Sequence, residues 1–276
     1  MNRALVGGWT ALAALHNPAM KISVVTISFN QGEYLRACID SVLNQNYPDL
    51  EYIVVDPGSK DDSRAIIDSY GDKIIRVYEK DDGPSDGLNK GFAHATGEVL
   101  AFINADDELL PNSLQRMADE FKRQPDADLV MGCGYFSDEK GQRGKRILPS
   151  RLTPWLYVNG GVTLFQQGTF FRQSIFRKVN GFKKANRTSW DAELFLDMAL
   201  AGAKFVRIED DIALFRMYPG SITGSGRLQK LYEADNLRMF KAVMGREPRP
   251  ADRLVNKVAR AMKFAADPGY ALRRMR

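Results

Sequence analysis

The apolar run Val99 to Ile103 is followed at once by Asn104, Asp106, Asp107 and Glu108. A strand crossing a core does not end in carboxylates unless they meet solvent, a cation or a cationic ligand, because Asp and Glu are almost never buried without a partner. A hard cation such as Mg²⁺ takes oxygen ligands. It typically uses one or two protein carboxylates and fills its other positions with water and substrate phosphate oxygens. Asp106 is therefore a candidate metal ligand, and the partner it implies is a phosphorylated molecule. The same residues followed by Leu109-Leu110-Pro111 also spell a turn and the cap of a helix.

Such side chains need a scaffold that gathers several strand ends. Ile22 to Phe29 is an apolar, β-branched run ending at Asn30, and Tyr52 to Val55 ends at Asp56-Pro57-Gly58-Ser59. Leu35, Ile39, Val42 and Leu43 lie on one helical face after the first run, and Ile66, Ile67 and Tyr70 follow the second. Ile74 to Tyr78 reads as a third strand, Leu88 and Phe92 mark a helix, and Val99 to Ile103 is the fourth strand. This alternation predicts an α/β fold with a Rossmann-like, mostly parallel central sheet flanked by helices. Ligands of open α/β sheets sit outside the carboxyl ends of the strands, which is where the three polar clusters stand. No G-x-G-x-x-G opens a helix and no Walker loop is present, so a dinucleotide site and a P-loop are excluded.

Further along, Leu114, Met117 and Phe121 form another helical stripe before a strand at Asp128 to Phe136, and the polar run Ser137 to Arg146 reads as a hairpin or loop. From Trp155 the chain turns aromatic, with Tyr157, Phe165, Phe170, Phe171 and Phe176 around Gly160-Gly161. Helices are expected at Ser174 to Gly181 and Trp190 to Gly202, then a short strand at Lys204 to Ile208.

The motifs Ser23-Val-Val-Thr-Ile-Ser-Phe-Asn30, Ser41-Val-Leu-Asn-Gln45, Tyr52-Ile-Val-Val-Asp-Pro-Gly-Ser59, Asp86-Gly-Leu-Asn-Lys-Gly91, Ala95-Thr-Gly-Glu98 and Asn104-Ala-Asp-Asp107 follow one another in order. Together they resemble the family-2 glycosyltransferases of GT-A fold, nearly continuously over residues 21 to 112 and more loosely beyond. The resemblance implies an inverting enzyme that moves a single sugar from a nucleotide-diphosphate sugar to a saccharide or lipid-linked acceptor. Cell-envelope or exopolysaccharide synthesis is the implied setting, with Mg²⁺ or Mn²⁺ as cofactor. The chain is expected to divide into an N-terminal extension (1–20), a nucleotide-sugar-binding half (21–136), a smaller acceptor-binding half (137–225) and a basic helical tail (226–276).

Residue by residue, the resemblance puts the nucleotide across the first two strand ends, so that Ile27, Phe29, Asn30 and Asp56 match base and ribose contacts. Phe29 either stacks on the base or packs in the core with Val25 and Ile27, which share its strand face. Pro57 departs from the commoner Asp-Asp-x-Ser. Asp86, Asn89 and Lys90 match the segment lining the donor site, although a lysine there also suits a solvated helix face. Asn104 and Asp106 take the outer positions of the family's D-x-D, with Asn in place of the first acid. Asp107 is a supporting acid or a helix cap.

Inverting transfer needs a base for the acceptor hydroxyl proton. Trp190-Asp-Ala-Glu-Leu-Phe-Leu196 matches the family's acidic helix, which puts Asp191 at the base position and Glu193 beside it, with Trp190 where an acid is usual. An acid in the first turn of a helix is also favoured by the helix dipole alone. Gln166 to Arg172, with Gln167, matches a strand facing the acceptor. In Arg216 to Ile222, Tyr218 stands where the family often has histidine. The chain has only His16 and His94, so Arg216 is left to assist the diphosphate, or is an ordinary paired arginine.

Hydrophobic residues at 44% and charged ones at 26% fit a globular protein rather than a disordered one. No run of eighteen apolar residues occurs, so no spanning helix is expected. Cys38 and Cys133 fall on apolar elements and read as core residues of a reducing, cytoplasmic compartment. Residues 245–276 hold nine Lys or Arg and three Asp or Glu, a net of +6 against +5 for the whole chain, so the basic excess is local to the tail. There Leu254, Val258 and Met262 recur at helical spacing among Arg253, Lys257, Arg260 and Lys263. That pattern suits a terminal helix docking its apolar stripe on the domain, or one lying peripherally on an anionic membrane surface. Residues 1–19 lack a small-x-small cleavage site, and either Met20 is the true start or 1–19 is a loosely attached leader. The departures at Pro57, Asn104, Trp190 and Tyr218 leave open a catalytically silent sugar-nucleotide-binding or scaffolding protein. With few aromatics in the basic tail and no recognised module, nucleic-acid binding is not expected.

Overall fold

The computed structural model describes residues 19–221 and 228–265. Most of the expected leader and the end of the tail lie outside the described residues. The elements in chain order are β1 (Ile22–Ile27), α1 (Gly32–Leu43), β2 (Leu50–Val55), α2 (Ser63–Asp68), β3 (Ile75–Val77), α3 (Pro84–Ala93), β4 (Val99–Asn104), β5 (Glu108–Leu109), α4 (Ser113–Arg123), β6 (Leu129–Ser137), β7 (Arg143–Ile147), α5 (Pro154–Val158), β8 (Thr169–Arg172), α6 (Gln173–Lys178), α7 (Trp190–Leu200), β9 (Phe205–Arg216), α8 (Gln229–Met244) and α9 (Asp252–Ala265). They build one sheet of strand order β3-β2-β1-β4-β8-β6-β9-β5, with β7 paired to β6. β1 to β4 are parallel because a helix returns the chain between each pair. β8 is antiparallel to both β4 and β6, and β6 is parallel to β9. β8 and β9, from the expected acceptor half, thus share a sheet with the expected nucleotide half.

The period-2 alternation of β1 divides the core. Ile22 and Val24 face α1 and α4, where Leu35, Ile39, Leu114 and Phe121 are buried. Val25 faces α3 and α7, where Leu88, Phe92, Leu194 and Phe195 are buried. A cluster of phenylalanines fills the second layer, with Phe102 edge-on to Phe182 at 5.3 Å and Phe92 at 4.8 Å from Phe176. α3 sits close on the sheet because Gly91 has no side chain. A Cβ there would come within 2.5 Å of Val25 and 2.8 Å of Val55.

Three sequence expectations are corrected. β1 stops at Ile27, because Ser28 makes the last bond to Val55 and Asn30 turns the chain at φ 54°. Phe29 therefore leaves the sheet and is 58% exposed, not a core residue. The strand expected at Lys204 to Ile208 runs on to Arg216 as β9. The acids Glu209-Asp210-Asp211 hide its continuation, and they sit where the pairing to β6 slips register. The apolar stripe of α9 does not dock. Ala259 is buried against Gly161, whereas Leu254, Val258 and Met262 are 67%, 48% and 43% exposed.

Candidate active site

A cavity of about 660 Å³ opens at the carboxyl ends of β1 and β4, between the N-termini of α3 and α7, within the size range of small-molecule sites. Of the residues singled out in the sequence, it brings together Ile27, Phe29, Asn104, Asp106, Gln167 and Asp191. The charge balance of its lining is acidic, with Asp81, Asp106 and Asp191 facing a single cation, Lys80, among the described residues.

The Asn104–Asp107 corner is held by three neighbours, Gln166, Gln167 and Arg216. Gln166 and Gln167 lie in a 3₁₀ turn before β8. Gln166 Nε2 donates to Phe102 O (2.6 Å), and Gln167 Nε2 donates to Asp107 Oδ2 (2.8 Å). Asp107 is buried and also accepts from Asn104 Nδ2 (3.2 Å) and from the backbone N–H of Arg216 (2.9 Å). Burial and the neighbouring Asp106 charge push its carboxyl well above the usual range, against these three donors. It is a structural hub rather than a helix cap. Asp106 is half-buried, and burial raises its carboxyl too; Tyr218 donates its phenol to Oδ2 (3.2 Å) while accepting from Gln31 Nε2 (3.3 Å). Tyr218 thus touches the carboxylate from the place where the resemblance led one to look for histidine.

Two acceptors at this corner suit a hard cation. Asp106 presents a carboxylate to the cavity, and Asn104 Oδ1 is buried without a hydrogen-bond partner among the described residues, which a native structure rarely leaves unexplained. The described residues contain no group of three His, Cys, Asp or Glu able to hold a metal. An ion here would draw its remaining ligands from water and phosphate oxygens, as Mg²⁺ commonly does.

Across the cavity, Asp191 is the second residue of α7 and half-buried. Its carboxylate makes no side-chain hydrogen bond or ion pair with another described residue. Burial pushes it above the ordinary aspartate range, opposed by the backbone N–H groups of Ala192 and of Asp191 itself. An unpaired carboxylate at a cavity wall with a raised proton affinity is the state a general base requires.

The remaining sequence-predicted residues lie outside the lining. Asn30 ties two loops, donating its N–H to Ser59 Oγ and accepting from Lys60 N on Oδ1, both at 2.8 Å. Asp56 is fully buried. Its Oδ1 accepts from Gly58 N, Ser59 N and Arg64 Nε, while Oδ2 has no partner among the described residues; Pro57 beside it does line the cavity. Asp86 is paired with Lys184 at 2.6 Å and Lys90 at 3.4 Å. Glu193 is held by Asn186 and Arg238. The Arg216 guanidinium is consumed by Asp106 O, Asp138 O, Glu139 O and the Glu108 carboxylate. It props the backbone of the acidic corner instead of facing a ligand.

Sequence reasoning missed Lys80, Asp81 and Thr188. A signal existed for Asp81: Asp81-x-Gly83-Pro84 is an Asx turn into a helix with proline in its first turn, and Asp81 Oδ1 accepts from Gly83 N at 2.9 Å, with Gly83 at φ 113°.

Residues 23–184 match glycosyl transferase family 2. An uncharacterized glycosyltransferase of Nostoc sp. is 31% identical over 212 residues, 72% of this chain and 65% of the relative, so the match spans just under two thirds of that protein. Staphylococcus aureus TarS 1–349 in complex with UDP-GlcNAc superposes with a TM-score of 0.64 at 18% identity, covering 89% of this chain and 72% of TarS 1–349. The mannosyltransferase PcManGT of Pyrobaculum calidifontis, solved with GDP-Man and Mn²⁺, gives 0.63 at 15% identity over 93% of this chain and 76% of that one. At these identities the structural likeness carries the fold.

Proposed function

From the premise that this chain belongs to glycosyl transferase family 2 and has a GT-A type fold, we propose that it is an inverting transferase. In this reading it moves one sugar from a nucleotide-diphosphate sugar to a saccharide or lipid-linked acceptor in cell-envelope or exopolysaccharide synthesis. The observation that carries the reading is the cavity itself, with an oxygen-only cation corner at Asn104 and Asp106 facing an unpaired, proton-hungry Asp191. Asp191 takes the acceptor hydroxyl proton while that oxygen attacks the anomeric carbon. The bond from that carbon to the diphosphate oxygen breaks on the opposite side, which inverts the centre. Phe29 and Pro57 offer an apolar wall to the base, and Gln167, fixed by Asp107, faces the sugar or acceptor. Asp56, with one buried oxygen unpartnered, is kept as a base or ribose contact reached on donor binding.

An anionic diphosphate entering a lining with three carboxylates and one lysine needs added positive charge, since unpaired like charges at short range in a shielded site are strongly repulsive. Asp106, with Asn104 Oδ1, would hold Mg²⁺ or Mn²⁺, which when bound neutralises the leaving diphosphate.

The decisive experiment measures hydrolysis of UDP-, GDP- and dTDP-sugars with and without Mn²⁺. Turnover of one donor supports the transferase and names that donor. Binding without hydrolysis, and without transfer to any polyprenyl-phosphate-linked sugar, favours the second reading, a catalytically silent sugar-nucleotide-binding scaffold, which rests on Asn104, Pro57, Trp190 and Tyr218.

We assign the enzyme to the cytoplasmic face of the membrane, held peripherally through α9. Among the described residues no helix is long and apolar enough to cross a membrane. The outward Leu254, Val258 and Met262, beside exposed Arg253 and Lys257, suit shallow insertion among anionic headgroups. Deleting 250–276, or changing Leu254 and Val258 to Ser, is expected to abolish co-sedimentation with phosphatidylglycerol vesicles. Phosphatidylcholine vesicles are expected to bind neither form, and retained binding of the variants would remove α9 from this role.

A further inference from the structure

Asp191 makes no side-chain bond to another described residue, so its orientation among them depends on what holds the start of α7. That start is held from behind by α8, an element some forty residues later in the chain. Asn186 is fully buried and caps the turn into α7, accepting from Thr188 N (3.0 Å) and Ser189 N (2.8 Å) on Oδ1. Its Nδ2 donates to Glu193 Oε2 at 2.8 Å, and its carbonyl accepts from Ser85 Oγ at 2.8 Å in the first turn of α3. From α8, Arg238 forks onto Glu193 through Nε (3.1 Å) and a terminal nitrogen (2.7 Å), and donates to Asp235 Oδ1 at 2.8 Å. Asp235, itself buried, closes the circuit with Oδ2, accepting from Thr188 Oγ1 (2.7 Å) and Arg187 N (3.2 Å). Thr188 and Asp191 both line the cavity, as does Pro84 next to Ser85.

We propose that Asp235 and Arg238 of α8, acting through Thr188 and Glu193, are positioning residues that aim the Asp191 carboxylate and so set the rate of sugar transfer. The inference rests on Asp191 being the base. Bidentate arginine pairs fix geometry as well as charge, and a buried network with every member satisfied specifies one arrangement. In the circuit Asn186, Glu193 and Asp235 are buried, Arg238 and Thr188 are half-buried, and each is hydrogen-bonded to another member: the fork on Glu193 fixes the first turn of α7, and the Asp235–Thr188 bond fixes the residue three before the base. Both hold the helix start against the α3 turn that forms the opposite lip of the cavity. A small misplacement of a reacting group costs roughly ten- to a hundredfold in rate, so a loosened circuit acts on turnover rather than on donor affinity.

The test uses Thr188→Val, which removes one hydroxyl and keeps the shape, together with Asp235→Asn and their double variant. Asp211→Asn serves as a comparison that breaks a half-buried pair with Arg146 (2.7 Å), neither residue of which lines the cavity. With UDP-N-acetylglucosamine and GDP-mannose as probes, kcat for donor hydrolysis is expected to fall roughly tenfold or more in Thr188→Val and Asp235→Asn. Donor Kd is expected to stay within about twofold, and the double variant to be no worse than Asp235→Asn because both remove one interaction. In the free proteins, the ¹³C carboxyl titration of Asp191 is expected to move in the two circuit variants and stay put in Asp211→Asn. Unchanged kcat with an unchanged Asp191 titration overturns the proposal, as does a loss confined to donor Kd. If wild type turns over no donor of the UDP-, GDP- and dTDP-sugar panel, or Asp191→Asn keeps full turnover, the proposed function is what fails. The carboxyl titration then still decides whether α8 aims Asp191.

Discussion

Asp191→Asn is expected to lower kcat for transfer by about 10²–10⁴-fold, the usual contribution of a positioned general base, while donor affinity stays near wild type. The asparagine keeps the shape and loses only the proton acceptor, so a loss confined to kcat separates a base from a binding group. The pH dependence follows from the same environment. Burial raises the carboxyl above the ordinary aspartate range, and the base works only when ionised, so kcat is expected to fall as pH drops through that raised value. Stability runs the other way. A carboxyl whose folded pKa exceeds its unfolded one favours the fold below the unfolded pKa, and that contribution is lost as pH rises through the folded pKa. Asp191→Asn is therefore expected to melt at or above the wild-type temperature at pH 7, with the difference shrinking in acid. Full activity in the variant, or a loss matched by lowered melting, removes Asp191 from the base role.

The parts of the fold with local signatures were legible in the sequence. β1 and β2 announced themselves as β-branched runs and β4 as an apolar one, and the apolar stripes at Leu35–Val42 and Leu114–Phe121 marked α1 and α4. All these signals arise from burial against one sheet, and burial writes itself into periodicity. β9 was half-read because Glu209, Asp210 and Asp211 break the apolar pattern at a register slip, and a slip depends on the partner strand. That omission hid the role of Arg216: only the full length of β9 brings its N–H to Asp107 and its guanidinium to the carbonyl of Asp106. In the site, Asp106 and Asp191 were readable from type and motif. The partnership of Glu193 with Arg238, and of Asp86 with Lys184, was not, because each joins residues distant in sequence. An acid beside a motif looks like a ligand contact until its partner is seen.

Asp106→Ala is expected to weaken donor binding in the presence of Mn²⁺ by more than about a hundredfold, since even outer partners of a metal ligand are worth 10–100-fold in affinity. Donor binding in the absence of metal is expected to change little in the same variant. Phe29, Pro57 and Gln167 are untouched by the substitution, and the lost group is a carboxylate that burial disfavours in its charged form. Removing it is accordingly expected to leave the melting temperature at pH 7 unchanged or raised, which excludes unfolding as the cause. Tyr218 sharpens the experiment because its phenol already occupies Asp106 Oδ2. Asn104 Oδ1 remains available in the variant but carries no net charge, so it cannot offset a diphosphate facing Asp81 and Asp191. Calorimetry should thus show two opposite patterns: Asp106→Ala loses the metal-dependent part of donor binding, and Asp191→Asn keeps it while losing turnover. Donor affinity that is equal with and without Mn²⁺ in the wild type would assign the diphosphate to Lys80 and the backbone, and remove the cation from Asp106.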